Sequence, residues 1–153
     1  MPLKRLAFIL MADDDPDDCL LVRDAFLEFN IGAKIEFAQD GQELIDRLKQ
    51  PFHRDRSQCS FPDLILLDLN MPRKSGLEAL KEIRSDSVLK ALPVIVFTTC
   101  KDQETIIQSY GFGANAFLSK PTTFGRLRDM VKMVFEFWNS VAELPQLCHM
   151  PTR

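Results

Sequence analysis

Three observations predict an α/β protein, a (βα)5 unit built on a parallel five-stranded sheet. Five short apolar runs alternate along the chain with stretches of helical spacing. Three of the runs are nearly continuous Ile, Leu, Val and Phe, the pattern of strands covered on both faces, as parallel strands are. The order strand then helix is kept from end to end, which is how layered parallel sheets are assembled.

The first run, LAFILMA (Leu6 to Ala12), stops at Asp13, Asp14, Asp15, Asp17 and Asp18. Asp15, Asp17 and Asp18 are expected to start and cap the first helix, whose free N–H groups and positive end favour carboxylates. Cys19, Val22, Phe26 and Phe29 mark that helix. The second strand, AKIEFA (Ala33 to Ala38), leads through Gly41 to a helix marked by Leu44, Ile45 and Leu48. PFHRDRSQCSFP (Pro51 to Pro62) is polar and patternless, hence a surface loop. The third strand, DLILLDL (Asp63 to Leu69), precedes Leu77, Leu80 and Ile83, and the fourth, PVIVFTT (Pro93 to Thr99), precedes Ile106, Ile107 and Tyr110, a helix ended by Gly111 and Gly113. After the fifth strand, AFLSK (Ala116 to Lys120), a long helix is predicted from Thr122 or Thr123 toward Leu144, with Pro145 as its stop. This organisation is one domain over residues 1–144 with a tail at 145–153 and no further module.

The fifth helix carries a core stripe of Leu127, Val131, Val134, Trp138 and Val141 and a second apolar stripe of Met130, Met133 and Phe137. So wide an apolar arc predicts a partner or dimer surface as well as a core face.

With 19 basic against 22 acidic residues and a net charge of -3, the chain has no general attraction for nucleic acid or anionic lipid. Cys19, Cys59, Cys100 and Cys148 are too scattered for a zinc site or disulfide framework, which fits a cytoplasmic protein. Lys4 and Arg5 before the first apolar run imitate a signal peptide, but the run is short and leads straight into aspartates. No stretch approaches the roughly 18 apolar residues of a membrane helix. His53 and His149, in a loop and a tail, read as ordinary surface residues.

Ligands of open parallel sheets bind at the carboxyl ends of the strands. Those ends carry Asp13 and Asp14, Asp68 with Asn70 two residues on, Thr98, and Lys120 followed by Pro121. Crowded carboxylates repel unless a cation compensates, and an oxygen-only set suits magnesium. A lysine and a threonine hydroxyl beside them suit a phosphoryl group, and an ionised aspartate can attack phosphorus with no neighbouring base.

Asp13 and Asp14 in ILMADDDP, Asp68 in LILLDLNMPRKSG, Thr98 in VIVFTT and Lys120 in FLSKP together resemble the receiver domain of two-component response regulators, over roughly Leu6 to Val141. The resemblance implies a doubly wound, flavodoxin-like sheet of strand order 2-1-3-4-5. It makes Asp68 the phosphoacceptor, Asp14 a direct metal ligand, Asp13 a neighbour acting through water, and the Asn70 carbonyl a further ligand of Mg2+ or Mn2+. It also implies that Thr98 and Lys120 contact the phosphoryl group and that the Lys120-Pro121 bond is cis. Phe117 falls at an aromatic switch position, where without a hydroxyl it would act through packing. Asn70 and Cys100 fall at positions that tune phosphate loss; neither is an acid.

The ending EFWNSVAELP, with DLNMPRKSG, resembles small stand-alone regulators paired with phytochrome-type histidine kinases. The implied partners are such a kinase and a second copy through the fourth helix, fifth strand and fifth helix. The alternatives are a magnesium phosphohydrolase with an aspartate nucleophile and a flavin binder. A haloacid-dehalogenase-type phosphatase would want an aspartate where Asn70 stands, and five aspartates would repel a flavin phosphate.

Overall fold

The computed structural model describes residues 6–29, 32–50 and 61–147. The elements run β1 (Phe8–Ala12), α1 (Pro16–Glu28), β2 (Lys34–Ala38), α2 (Gly41–Lys49), β3 (Leu64–Leu67), α3 (Gly76–Ser85), β4 (Val94–Thr98), α4 (Gln103–Gly111), β5 (Ala116–Ser119) and α5 (Phe124–Glu136). The five strands are parallel in the order β2-β1-β3-β4-β5, as the resemblance implied. The sequence-based reading of residues 51–60 as a loop, and those of Lys4, Arg5, His53, Cys59, Cys148 and His149, fall outside the described residues.

Every side chain of β3 and β4 is buried, the physical meaning of their unbroken apolar runs. Successive strand residues point to opposite faces and feed two cores. One, with Leu10, Ile65, Leu67, Val94 and Val96, packs under α2 and α3 through Leu44, Leu48, Leu80 and Ile83. The other, with Ile9, Met11, Leu64, Leu66, Ile95 and Phe97, packs under α1 and α5 through Val22, Phe26, Leu127, Val131 and Phe135. Phe26 and Phe135 meet edge to face at 4.9 Å. Among the described residues no helix is long and apolar enough to cross a membrane.

The helix starts are chemically specified. Asp15 accepts a hydrogen bond from Asp17 N, Asp40 from Glu43 N, Ser75 from Glu78 N, Asp102 from Thr105 N and Thr123 from Arg126 N. Asp15 is therefore the N-cap of α1 and Asp17 lies in its first turn.

The carboxyl-terminal end departs from expectation. α5 stops at Glu136 and passes into one π-helical stretch, Phe137–Val141, closed by Ala142 N–H donating to the Phe137 carbonyl at 2.8 Å. Leu127, Val131, Val134 and Trp138 of the predicted stripe meet the α1/α5-side core, but the extra residue per turn takes Val141 off it, so Val141 is exposed and the helix ends before Leu144. Phe135, outside both predicted stripes, fills the core at four residues from Val131. Beyond the π turn the chain crosses between the two cores: Leu144 packs against the α1/α5 side, and Leu147, predicted to lie in a tail, is buried on the α2/α3 side. Leu6 N–H donates to Asn139 Oδ1 at 3.2 Å, tying this return to the start of the sheet.

Candidate functional site

Parallel register places the candidate residues. Ala12 pairs with Leu67, so the next residues, Asp13 and Asp68, emerge side by side from β1 and β3. Asp68 N–H donates to the Ala12 carbonyl at 2.9 Å and Asp13 N–H to the Ala38 carbonyl at 3.0 Å, so the sheet pattern continues into the site. Thr98 pairs with Ser119, and Lys120 N–H donates to the Thr98 carbonyl at 2.7 Å, which brings the lysine in from the sheet's other edge. Gly76 holds the β3–α3 loop close: a Cβ there would lie 2.1 Å from the Asp68 carbonyl oxygen.

One carboxylate oxygen each from Asp13, Asp14 and Asp68 lies within 4.8 Å of the others, an arrangement that fits a divalent cation. Asp13 and Asp68 are buried, whereas Asp14 is exposed. The Lys120 ammonium reaches Asp13 at 2.6 Å, Asp18 at 2.7 Å and Asp68 at 3.3 Å. Burial pushes the Asp13 carboxyl up to about 6, held there against the lowering effect of the Lys120 hydrogen bond. Burial acts to lower the Lys120 ammonium, but hydrogen bonds to Asp13 and Asp18 and the charges of Asp13 and Asp68 outweigh it and raise it above its ordinary value. At neutral pH the centre is thus a cation among carboxylates. Cys19, whose thiol approaches the Asp13 carbonyl at 3.7 Å, is pushed up to about 11 by burial and then by the Asp13 charge, which leaves it protonated and unreactive.

Thr98 is fully buried, and its Oγ1 accepts from Cys100 N at 3.4 Å. Phe117 is half-buried against the α2/α3-side core, and its backbone N–H donates to the Tyr110 hydroxyl at 3.2 Å, joining β5 to α4. Asn70 is exposed and Cys100 half-buried at the rim.

Two corrections follow. The Lys120-Pro121 bond is trans, not cis. Trans is the preferred isomer of an X-Pro bond by about 0.5–1 kcal/mol, and Lys120 reaches all three carboxylates with it. Asp18, read as a helix-start residue alone, reaches the site as a partner of Lys120. Its signal was available: Asp18 is five residues from Asp13, in the turn of α1 that opens directly from the β1 end.

The profile of the response regulator receiver domain matches residues 9–132, most of the chain. This chain belongs to that family. The receiver domain is 34% identical over 137 residues to the response regulator Rcp1 of Synechocystis sp., covering 90% of this chain and 92% of that one. Its structure resembles that of the phosphorylated cyanobacterial phytochrome response regulator RcpA, with a TM-score of 0.83 and 35% identity over 92% of this chain and 99% of RcpA. The Mn2+-bound form of Rcp1 gives a TM-score of 0.80 and 33% identity over 91% and 99% of the two chains. The protein is accordingly a phosphoacceptor signalling domain homologous to phytochrome response regulators, which disfavours the phosphohydrolase and flavin alternatives.

Proposed function

We propose that this receiver domain takes a phosphoryl group from a sensor histidine kinase onto Asp68 and turns over no other substrate. A carboxylate oxygen of Asp68 attacks the phosphorus of a phosphohistidine. The P–N bond breaks, its electron pair returns to the ring nitrogen, and the phosphoryl group remains as an acyl phosphate. The observation that carries the reading is the convergence of Asp13, Asp14 and Asp68 within 4.8 Å, with the Lys120 ammonium 3.3 Å from Asp68.

Asp13, Asp14, Asp68 and the Asn70 carbonyl would hold a divalent cation, Mg2+ or Mn2+, which would offset the charge of the carboxylates and of the phosphoryl oxygens. Binding of Mn2+ by the related Rcp1 supports this. Lys120 neutralises a phosphoryl oxygen and Thr98 donates to another. Asn70 and Cys100, neither of them a carboxylate that could orient water, set the rate of phosphate loss, and Phe117 follows Thr98 through packing. The relation to phytochrome response regulators supports a phytochrome-type kinase as donor. Exposed Ile107 and Tyr110 on α4 and exposed Met133 and Phe137 beyond β5 support a homodimer through α4, β5 and α5. The described residues form one receiver unit.

Incubation with a small acyl phosphate and Mg2+ tests the reading by mass spectrometry. The wild-type chain should gain one phosphoryl group and Asp68→Asn none; labelling of Asp68→Asn at the wild-type rate overturns it.

A further inference from the structure

The β3–α3 loop holds a strained turn whose central residue reaches across to another loop. Lys74 N–H donates to the Pro72 carbonyl at 2.7 Å, closing a three-residue turn around Arg73. Arg73 has φ 61°, and among the described residues it is the only non-glycine with a positive value. Glycine would take that conformation without strain, so the backbone does not account for an arginine. Its side chain does. Nε donates to Asp40 Oδ2 at 2.9 Å and Nη2 to Oδ1 at 3.0 Å, a two-bonded grip that lysine could not reproduce.

The far end of this grip is firmly mounted. Asp40 is nearly buried and caps α2 by accepting from Glu43 N at 2.8 Å, and the hydrogen bond from Arg73 holds its carboxyl below the usual range. The next residue, Gly41, donates its N–H to the Lys74 carbonyl at 3.1 Å, and a Cβ at Gly41 would lie 2.3 Å from that oxygen. The loop is therefore fastened at Asp40 and Gly41 on one side and, through Gly76, against the Asp68 backbone on the other. Asn70 lies in the span between these fastenings.

We infer that the Arg73–Asp40 pair is a positioning latch that holds the β3–α3 loop in its strained turn and so sets divalent-cation affinity. The inference rests on the proposed metal site, to which Asn70 contributes a backbone carbonyl. An ion pair with so exposed an arginine adds little to global stability, so releasing it should loosen the loop while leaving the fold and the Asp68 carboxylate in place.

Titration of the full chain with Mn2+, following the free-ion signal by electron paramagnetic resonance, tests this beside thermal unfolding without metal. Arg73→Ala and Asp40→Asn should weaken Mn2+ binding about tenfold, the lower end of what loss of the groups that orient metal ligands costs. Labelling by a small acyl phosphate at saturating Mn2+ should stay near wild type. Arg73→Gly should recover most of the affinity, because glycine holds the positive φ without a latch. Wild-type Mn2+ affinity in both Arg73→Ala and Asp40→Asn overturns the latch, as does equal loss in the alanine and glycine variants. Failure of the wild-type chain to bind Mn2+, or unchanged binding in Asp14→Ala, overturns the metal reading and the latch with it.

Discussion

Asp68 and Thr98 follow or end adjacent strands, β3 and β4, yet what comes after each is held very differently. After Asp68, the loop is fastened at Gly41, Arg73 and Gly76, and α3 sinks Ala79, Leu80 and Ile83 into the core. Arg84 then locks the end of α3 to the carbonyls of Gly113, Lys90 and Leu92. After Thr98, α4 buries only Ser109, while Ile107 and Tyr110 are 67% and 51% exposed. Its tie to the neighbouring strand is the Tyr110 hydroxyl on Phe117 N. A nucleophile benefits from a fixed position, whereas a charge added at the strand ends can be read out only by an element cheap to move. The proposed acceptor therefore stands on the rigid side and the proposed sensing hydroxyl beside the loose one.

The sharpest test of that contrast is truncation on each side. Leu80→Ala should cost about 2–5 kcal/mol in denaturant unfolding, as buried leucines do. Ile107→Ala should stay within about 0.5 kcal/mol, as exposed positions do. Comparable losses would erase the distinction.

A smaller effect tests the strain carried at the rigid end. Folding raises the Asp13 carboxyl from 3.8 to about 6, so the native state binds its proton more tightly than the unfolded chain does. This group's contribution to metal-free stability should fall as pH rises from about 4 to about 6. Asp13→Asn should then stabilise the metal-free chain at pH 7 by about 1–3 kcal/mol, with the difference shrinking toward pH 4. A destabilised Asp13→Asn at pH 7 would mean that the Lys120 pair outweighs burial.

The smallest effect belongs to the loose side. Tyr110→Phe removes one exposed acceptor and should cost no more than about 1 kcal/mol globally, while speeding hydrogen exchange at Phe117 N. Unchanged exchange there would show that α4 is held by something other than this bond.

Much of the fold was legible because its signals are local. Continuous apolar runs marked β3 and β4, and Asp15 and Thr123 announced their helices through their own chemistry. The strand-end acids, threonine and lysine were legible as a set because parallel topology sends such ends to one place. Asp18 was read through its own helix and so was missed as a Lys120 partner, although it lies in the turn of α1 that opens from the β1 end. Leu147 looked like tail because burial after a proline depends on where the chain turns, and the π turn that displaces Val141 has no periodic signal of its own.

The sequence by itself determined the element order, the helix starts and which residues come to the sheet's carboxyl edge, because these follow from periodicity, capping and strand direction. Tertiary structure alone decided the sharing of Lys120 among three carboxylates and the Arg73–Asp40 grip. It also decided that α3 is gripped while α4 is barely buried. Each of these depends on distances between segments far apart in the chain, and distance across a fold is set by packing rather than by spacing along the sequence.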